Sequence, residues 1–369
     1  MNPSIRDIIE SYNPNAPLSE AWTIPASWYV DPRIFDLERQ TVFARTWQMV
    51  GSVDQVRNPG EYITCDVADN PLLVIRGNDG VLRAFFNVCR HHAAAVATGS
   101  EGQVSSLRCP YHGWTYSLDG ELKGTPDFGG VCNFDRGTMG LCPLEVATWE
   151  KWIFVRVVEG GPSLESFLGD GLRKGIQSLS LAGLKWVERR RYAFECNWKV
   201  FVDNYLDGGY HIPHVHRGLH SVLSYPDYTI ENGHHFCLQT SPINNERADS
   251  DTGAVRPGDR ALYYWIYPNF MINWYEGMVD TNVVLPRGID RTEVIFDFYF
   301  ADTSDEARER NIASIAVSQG IQDEDTAICE SVQRGLKSRA YVAGRLSVQR
   351  EAGEQLFHQL LYADLKSGV

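Results

Sequence analysis

Two short segments place a cysteine and a histidine close enough to share a metal centre, and this requirement constrains the fold more than any other sequence feature. Cys89 and His91 form a C-x-H motif, and after a gap of seventeen residues Cys109 and His112 form a C-x-x-H motif. The other six of the eight cysteines lack such a neighbour and are expected to be buried small hydrophobic side chains. We therefore expect the fold to bring two loops together around one metal centre.

Two cysteines and two histidines could hold either zinc or an iron–sulfur cluster. Zinc sites usually begin with a pair of cysteines two to four residues apart, which neither motif provides. In a Rieske [2Fe–2S] centre one iron takes two thiolates and the other takes two imidazoles, so each loop would supply one ligand to each iron. We favour this cluster, with zinc or a chance spacing as the alternatives. His92 is a competing ligand, but it cannot face the same iron as His91 without strain, so we interpret it as a flanking residue.

A second group of histidines lies in the later half of the chain. His211 and His216 are five residues apart and would not share one face of a regular helix, but Pro213 is expected to end any helix between them. A transition from helix to loop could then bring both imidazoles to one point. With an acid from residues 322–330 they would form a 2-His-1-carboxylate triad, which binds Fe(II) and leaves positions for O₂ and substrate. His214 is a rival ligand, and histidine clusters also occur at structural sites.

The first half of the chain has the short, alternating pattern of a small β domain. Residues 62–65, 72–75, 82–86 and 152–158 are predicted to be strands. Asn78, Asp79 and Gly80 predict a hairpin turn between two of them. The run Gly160-Gly161-Pro162 punctuates the end of the last strand. We therefore predict an antiparallel β domain over residues 42–160 that carries the cluster on its loops.

The remaining residues, 1–41 and 161–369, are predicted to form a larger domain of mixed composition, which makes the whole chain an α+β protein. Residues 187–195, 261–267, 281–285 and 292–300 resemble the strands of one antiparallel sheet. Thr303 and Glu306 have the spacing of a capping box, which predicts the start of a long helix. We expect this helix to continue to about Leu336, with a break near Gly320.

Charge and hydrophobicity exclude several classes of function. The chain has 34 Lys and Arg against 47 Asp and Glu, a net charge of −13, so a nucleic-acid or anionic-membrane partner is not expected. No run of eighteen apolar residues predicts a membrane span. The first ten residues lack the apolar segment of a signal peptide and carry acids early. We expect a cytoplasmic protein, or a plastid stromal one if a transit peptide has been removed.

Over nearly its whole length the sequence resembles the oxygenase components of the Rieske non-haem iron oxygenases, and among them most closely the plant-type choline monooxygenases. The resemblance is carried by residues 87–92, 109–116, 203–211, 267–273 and 329–336. It implies a Rieske domain followed by a catalytic domain of the helix-grip (START-like) type. That catalytic domain would contain an antiparallel sheet and a long C-terminal helix.

The same resemblance implies the ligands of two metal centres. The cluster would be held by Cys89, His91, Cys109 and His112, and the mononuclear iron by His211, His216 and Asp325. Asp325 is chosen over Asp323 because family members place this ligand in a Glu-Asp pair, five residues before the glutamate that matches Glu330.

Members of this family are usually ring-shaped homotrimers in which the cluster of one subunit faces the iron of its neighbour. An acidic residue hydrogen-bonds a histidine ligand on each side, and many members place it three residues before the first iron histidine. Here that position is Gly208, and Asp207 lies one residue earlier. We assign the inter-subunit electron-transfer bridge to Asp207. The alternative is that Asp207 only caps the end of a helix.

The activity implied by the resemblance is a monooxygenation. A separate reductase or ferredoxin would pass electrons from NAD(P)H to the cluster, and the cluster would deliver them to Fe(II). One atom of O₂ would enter the substrate and the other would leave as water. With choline as the expected substrate, hydroxylation of the alcohol carbon would give the hydrate of betaine aldehyde.

A quaternary ammonium substrate calls for aromatic rings, because a cation without N–H groups is attracted to their π faces. Residues 263–275 are rich in aromatics, and we assign the substrate pocket to Tyr264, Trp274, Tyr275, Glu276 and Met278. Met278 stands where plant enzymes have tryptophan, and the acidic Glu276 is an addition that could favour a related amine or betaine. The alternative is that these rings form the core of the sheet.

Two other functions are compatible with the sequence. A hydroxylase or demethylase of the same family would act on an aromatic compound and would need an apolar pocket. An electron carrier would contain the cluster alone, and would not need the second group of histidines.

Overall fold

The computed structural model describes residues 3–244 and 255–369, and the chain divides into two compact units. One unit is Arg39–Phe167, and the other combines Met1–Glu38 with Leu168–Val369. The β domain predicted for residues 42–160 lies inside the first unit. Residues 39–41 and 161–167, which were assigned from the sequence to the larger domain, belong to that unit as well.

The unit Arg39–Phe167 is built from two antiparallel sheets. Its strands are β1 Gln48–Ser52, β2 Glu61–Val67, β3 Asn70–Arg76, β4 Leu82–Phe86, β5 Glu101–Gln103, β6 Leu107–Arg108, β7 Thr115–Tyr116, β8 Leu122–Gly124, β9 Pro143–Trp149 and β10 Trp152–Arg156. The strand order is β1-β10-β9-β4-β3-β2-β5 in the larger sheet and β6-β7-β8 in the smaller one. The hairpin predicted between β3 and β4 is confirmed, and Gly80 has the positive φ, 77°, that its turn requires.

The second unit, Met1–Glu38 with Leu168–Val369, contains a seven-stranded antiparallel sheet of order β11-β17-β16-β15-β14-β13-β12. Its strands are β11 Lys185–Phe194, β12 Thr229–Asn232, β13 Phe236–Pro242, β14 Arg260–Ile266, β15 Phe270–Tyr275, β16 Met278–Gly288 and β17 Arg291–Phe300. The four strands predicted from the sequence correspond to β11, β14, β16 and β17. Sequence reasoning missed the other three, because their apolar residues are interrupted by glutamate, glutamine and asparagine.

The α-helices of the described residues are Ile5–Glu10, Ser27–Val30, Pro32–Glu38, Leu164–Gln177, Trp198–Leu206, Ile212–Val215, Arg217–Val222, Arg308–Leu336 and Ala352–Lys366. The helix Arg308–Leu336, hereafter the long helix, lies against the sheet, where Arg190 of β11 donates a hydrogen bond to Gln319 at 3.1 Å. An antiparallel sheet that holds a long helix is the arrangement expected of a helix-grip domain. Among the described residues, no helix combines the length and the apolar character that a membrane span requires.

Two details predicted for the long helix are wrong. The capping box at Thr303 does not form, because the side chain of Asp302 accepts a hydrogen bond from the backbone N–H of Ser304 and the chain turns before the helix begins at Arg308. The helix also continues without a break through Gly320. A glycine inside a helix costs only about 1 kcal/mol, which the packing of so long a helix can offset.

Candidate metal centres and substrate cavity

Three side chains of the second unit converge at one point. His211 and His216 flank the short helix Ile212–Val215, and Asp325 projects from the long helix. Their ligand atoms all lie within 4.8 Å of one another. Nε2 of His216 is 3.0 Å from Oδ1 of Asp325, and Nε2 of His211 is 3.8 Å from the same oxygen. These distances suit a 2-His-1-carboxylate group around a single metal ion.

The two histidines meet for a different reason from the one predicted. Pro213 does not end a helix but lies in the first turn of Ile212–Val215, where the missing N–H of proline has no consequence. The histidines meet because they flank this single helical turn, and the chain reverses before both of them, at Gly208 and Gly209, which have φ of 66° and 71°. His214, the rival ligand, is exposed to solvent on the same turn.

A carboxylate holds the second ring nitrogen of each histidine. Nδ1 of His211 is 2.6 Å from Oδ2 of Asp207, and Nδ1 of His216 is 2.6 Å from Oε2 of Glu324. The Nδ1–H of each ring therefore donates to a carboxylate, and the lone pair of Nε2 is left facing Asp325. Burial lowers the pKa of His216, but Asp325 and Glu324 outweigh burial and raise that pKa, as expected of a site that attracts positive charge.

Two amides fix the carboxylate of Asp325. Nδ2 of Asn204 donates to Oδ1 at 2.9 Å, and Nε2 of Gln322 donates to Oδ2 at 3.4 Å. Sequence reasoning missed Asn204, Gln322 and Glu324. Glu324 had one available signal, its position in the Glu-Asp pair, whereas the amides carry none that distinguishes them from surface residues.

Asp207 both caps a turn and orients a histidine. Its two carboxylate oxygens accept hydrogen bonds from the backbone N–H groups of Tyr210 and His211 at 3.1 and 3.0 Å, in addition to the bond from the ring. The capping alternative is therefore compatible with the proposed bridge. A side chain at Gly208 would be excluded, because its Cβ would clash with the carbonyl oxygen of Arg350. An acid at position 208 would meet this clash, whereas the carboxylate that contacts His211 comes from Asp207, one residue earlier.

We expect Gly208→Ala to lower the free energy of unfolding by about 3 kcal/mol, because it adds a backbone clash to the strain of a positive φ. Gly277→Ala is the matched control. Its φ is 74°, but the nearest atom to an added Cβ is 3.9 Å away, so a loss of only about 1 kcal/mol is expected. Urea unfolding followed by circular dichroism measures both losses. Equal losses would contradict the steric explanation.

The two cysteine loops of the other unit close in the same way. In each loop the cysteine N–H donates to the carbonyl five residues later, and the cysteine carbonyl accepts from the N–H four residues later. The distances are 2.8 and 3.0 Å for Cys89, and 2.8 and 3.1 Å for Cys109. The residue four places after the cysteine is left-handed in both loops, with φ of 60° at Ala93 and 72° at Gly113. Each loop thus buries its cysteine at the base.

The histidines of these loops also lie together. The ring nitrogens of His91, His92 and His112 provide ligand atoms within 4.8 Å of one another. The ring of His91 stacks on Trp114 with centroids 4.6 Å apart, and its Nδ1 is buried without a hydrogen-bond partner in the described part of the chain. An orphaned imidazole nitrogen beside buried thiols fits a metal ligand, and burial lowers the pKa of His91 and favours its neutral form. The interpretation of His92 as a flanking residue stays a prediction.

Two further residues contact the sulfur atoms. The hydroxyl oxygen of Tyr116 is 3.2 Å from Sγ of Cys89 and accepts a hydrogen bond from the backbone N–H of Arg90. The guanidinium of Arg90 lies 2.7 Å from Sγ of Cys142. Hydrogen bonds to ligand sulfurs raise the reduction potential of a cluster, so Tyr116 is a further residue that would adjust this potential.

In the second unit, a cavity of about 120 Å³ opens beside His211, His216 and Asp325. One row of residues across the sheet lines it, because Gln239, Tyr263, Asn273 and Asp280 pair directly with one another on β13, β14, β15 and β16. Tyr205, Tyr228 and Tyr275 add aromatic rings to the wall. The wall is therefore aromatic and polar.

Of the five substrate residues predicted from the sequence, only Tyr275 lines this cavity. Tyr264 and Trp274 face the other side of the sheet, because side chains alternate along β14 and β15. Glu276 is exposed in the turn between β15 and β16. Met278 is buried behind the cavity, where its sulfur is 3.5 Å from the guanidinium of Arg256. The assignment of the other four residues to the pocket is therefore wrong.

Besides Asp325 at the metal site, the cavity has one further acid, Asp280, which sequence reasoning missed because it stands in an otherwise ordinary strand. Its side chain is 3% exposed, and Oδ2 accepts hydrogen bonds from Asn273 at 2.7 Å and Asn282 at 3.1 Å. Burial raises the pKa of Asp280, while the two amides and Arg256 act in the opposite direction. Tyr263 and Tyr275 share a hydrogen bond of 2.7 Å, and burial raises the pKa of both.

Two family models match the chain. The model of the ring hydroxylating alpha subunit (catalytic domain) matches residues 181–366, and that of the Rieske [2Fe-2S] domain matches residues 46–135. The matches cover the seven-stranded sheet with the long helix in one unit, and both cysteine loops in the other.

Curated relatives and solved structures agree with these models. The chloroplastic choline monooxygenase of Arabidopsis thaliana is 39% identical, over 98% of this chain and 87% of the relative. The carnitine monooxygenase oxygenase subunit of Escherichia coli (strain K12) is 30% identical, over 93% of each chain. The crystal structure of the quaternary ammonium Rieske monooxygenase CntA in complex with an inhibitor has a TM-score of 0.86 and 28% identity, and the match covers 98% of this chain and 99% of that one.

Proposed function

Because the chain belongs to the Rieske non-haem iron oxygenases, with a Rieske domain and the catalytic domain of a ring-hydroxylating alpha subunit, we propose that it hydroxylates a small quaternary ammonium compound. The enzyme is an oxidoreductase whose cofactors are a [2Fe–2S] cluster and a mononuclear iron. The observation that carries the proposed substrate class is the cavity that combines a buried carboxylate, Asp280, with tyrosine rings beside His211, His216 and Asp325.

The residues present fit both cofactors. His211 and His216 would hold the iron through Nε2, together with Asp325, and Asp207 and Glu324 would keep the Nδ1 protons in place. When bound, the iron supplies reductive activation of O₂ with electrons from the cluster. The amides of Asn204 and Gln322 keep Asp325 oriented, and the tyrosine wall limits the water around the reacting carbon.

The overall reaction balances with two electrons and two protons. A substrate C–H bond, O₂, two electrons and two protons give a C–OH group and one water molecule. For choline, the candidate from the sequence, hydroxylation of the alcohol carbon gives the hydrate of betaine aldehyde. We further propose that a separate reductase or ferredoxin supplies the electrons from NAD(P)H, and that the subunits form a homotrimer in which Asp207 bridges two centres.

A quaternary ammonium group has no N–H to donate, so it must be recognised by charge and by π faces. A desolvated cation–π contact contributes about 2 kcal/mol, and the cavity offers several tyrosine rings. A buried carboxylate that lacks a cation is unfavourable, which is why burial raises the pKa of Asp280. A positively charged ligand would reverse that effect, so the cavity and such a substrate complement each other.

A single turnover tests the function without knowledge of the reductase. Protein reconstituted with iron and sulfide would be reduced with dithionite, freed of excess reductant, and mixed with O₂ and substrate. We expect hydroxylated product, detected by mass spectrometry, with at least one compound among choline, glycine betaine and carnitine, and none with benzoate or naphthalene. Product from the aromatic compounds alone would overturn the proposal in favour of an aromatic hydroxylase.

Asp280→Asn should raise the half-saturating concentration of the cationic substrate at least about tenfold, because the amide that replaces the carboxylate carries no charge. The neutral isostere of choline, 3,3-dimethylbutan-1-ol, should be unaffected. The folded pKa of Asp280 lies above its ordinary value of 3.8, so its ionised form opposes folding above that pH, and the variant should be more stable than the wild type at pH 7.

Asp297→Asn is the matched control for this variant. Asp297 is equally buried, at 3%, but its carboxylate pairs with Arg189 at 2.7 Å outside the cavity. Its replacement should lower stability and leave substrate saturation unchanged. If Asp297→Asn and Asp280→Asn raised the half-saturating concentration alike, Asp280 would not be the cation-binding residue.

A further inference from the structure

The cavity contains a second fixed charge, opposite in sign to Asp280. Arg256 lines the cavity and is 2% exposed. Its Nη1 and Nη2 donate to the hydroxyls of Ser314 at 2.5 Å and Ser318 at 2.8 Å, both on the long helix. Its Nε is buried without a partner, and no carboxylate in residues 3–244 and 255–369 forms an ion pair with this guanidinium. Within those described residues, the positive charge is thus buried without an anion.

Every contact that the structure gives to this guanidinium is with a neutral group. Besides the two serines it meets the carbonyl of Val255, the sulfur of Met278 and the ring of Tyr275, whose centroid is 4.9 Å away. Hydrogen bonds and a π face satisfy N–H groups, but they do not neutralise the charge, and arginine cannot lose its proton in a protein. A buried charge without a counter-ion is strongly unfavourable, so the site is electrostatically incomplete.

Asp280 does not complete it. The carboxylate of Asp280 accepts hydrogen bonds from Asn273 and Asn282 and lies beyond ion-pair distance from Arg256. The charge of Arg256 still acts on Asp280 and lowers its pKa against the effect of burial. Apart from Asp325, which would hold the iron, the fold therefore keeps one negative and one positive side chain separate in the same small cavity. A ligand that carries both charges, separated by a short chain, would complement both.

We propose that the substrate is a zwitterion, a small betaine whose trimethylammonium group lies at Asp280 and the tyrosines and whose carboxylate is received by Arg256. This inference rests on the proposed function and narrows its substrate class. A simple cation such as choline satisfies Asp280 but leaves the charge of Arg256 uncompensated. The relatives include a choline monooxygenase and a carnitine monooxygenase. Choline is such a cation, whereas carnitine also carries a carboxylate, the group that Arg256 would bind.

The cavity also limits the size of this zwitterion. Its volume of about 120 Å³ is close to that of a cavity of about 150 Å³ that admits benzene. A short spacer between the ammonium and the carboxylate therefore fits best. Ser318, which also lines the cavity, offers a hydroxyl beside the guanidinium for the second carboxylate oxygen.

Choline and glycine betaine are a matched pair of probes, because they differ only in a CH₂OH group against a carboxylate. Isothermal titration calorimetry of the reconstituted holoenzyme without O₂ measures their dissociation constants in the absence of turnover. We expect glycine betaine to bind at least about tenfold more tightly than choline. Arg256→Gln should weaken the binding of glycine betaine at least about tenfold and leave choline unchanged or bound more tightly, and Arg256→Lys should lie between the two proteins.

Arg189→Gln separates this role from a purely structural one. Arg189 pairs with Asp297 at 2.7 Å and does not line the cavity, so its loss should lower stability without changing the ratio of the two dissociation constants. Equal or tighter binding of choline by the wild type, or an equal change for both ligands in Arg256→Gln and Arg256→Lys, would overturn the zwitterion proposal and leave the proposed function intact. Oxidation of aromatic compounds alone would overturn the proposed function itself.

Discussion

Asp325→Ala is expected to remove the mononuclear iron and leave the two irons of the cluster in place. Without the carboxylate, the two Nε2 atoms are the protein ligands that the described part of the chain leaves at the site, and the attraction of its charge for a cation is lost. Substrate-dependent O₂ uptake should fall by more than about 100-fold, since even the loss of a residue behind a ligand costs roughly 10- to 100-fold. Iron analysis and the visible spectrum of the cluster measure the two centres separately.

Asp323→Ala is the matched control. Asp323 is the rival acid in the sequence, two residues earlier on the same helix. Its side chain is exposed and accepts a hydrogen bond from Gln319. This variant should keep all three irons and full uptake. Loss of iron in Asp323→Ala with none in Asp325→Ala would reverse the assignment, and loss in neither would place the mononuclear iron elsewhere.

Asp207→Asn should slow electron delivery while both metal centres stay loaded. Asparagine can keep one backbone hydrogen bond of the turn. Its NH₂ group cannot accept the hydrogen bond that His211 Nδ1–H donates, so the imidazole loses its anionic partner. We expect normal reduction of the cluster by dithionite, and reoxidation by O₂ and substrate that is slower by about 100-fold or more. Stopped-flow absorbance of the cluster measures both steps.

Glu324→Gln makes the equivalent change at the other histidine. Glu324 holds Nδ1 of His216 at the same distance, 2.6 Å, that separates Asp207 from His211. If each carboxylate only orients its ligand, both variants should lose iron affinity and both should recover in excess iron. Recovery of Glu324→Gln alone would identify Asp207 as the electron-transfer bridge, whereas recovery of both would reduce it to an orienting cap.

The candidate metal ligands could be found in the sequence because local spacing or a motif identifies them. Cys89 and His91 are two residues apart, and their loop closes through hydrogen bonds of its own backbone. Asp325 is remote from His211, and only the resemblance to a family selected it over Asp323. The reason that the two histidines meet was misjudged, because Pro213 lies in the first turn of the short helix between them and does not end a helix.

The substrate cavity could not be found in the same way. Tyr263, Asn273 and Asp280 meet because three strands pair in one register, and the register depends on the bulges and turns of the whole sheet. A shift of one residue would have turned Tyr264 and Trp274 inward, which is the face that was predicted. Arg256 gave no signal at all, since a single arginine in a polar stretch is ordinary in a sequence.

The long helix carries both the serines that hold Arg256 and the acid that would hold the iron. Ser318 and Asp325 are seven residues apart, two turns of helix, which fixes their separation along the axis at about 10 Å. The carboxylate of a bound substrate would thus lie at a fixed distance from the iron site. The spacing between its two charges, more than the reactivity of its C–H bonds, would decide which carbon is presented for oxidation.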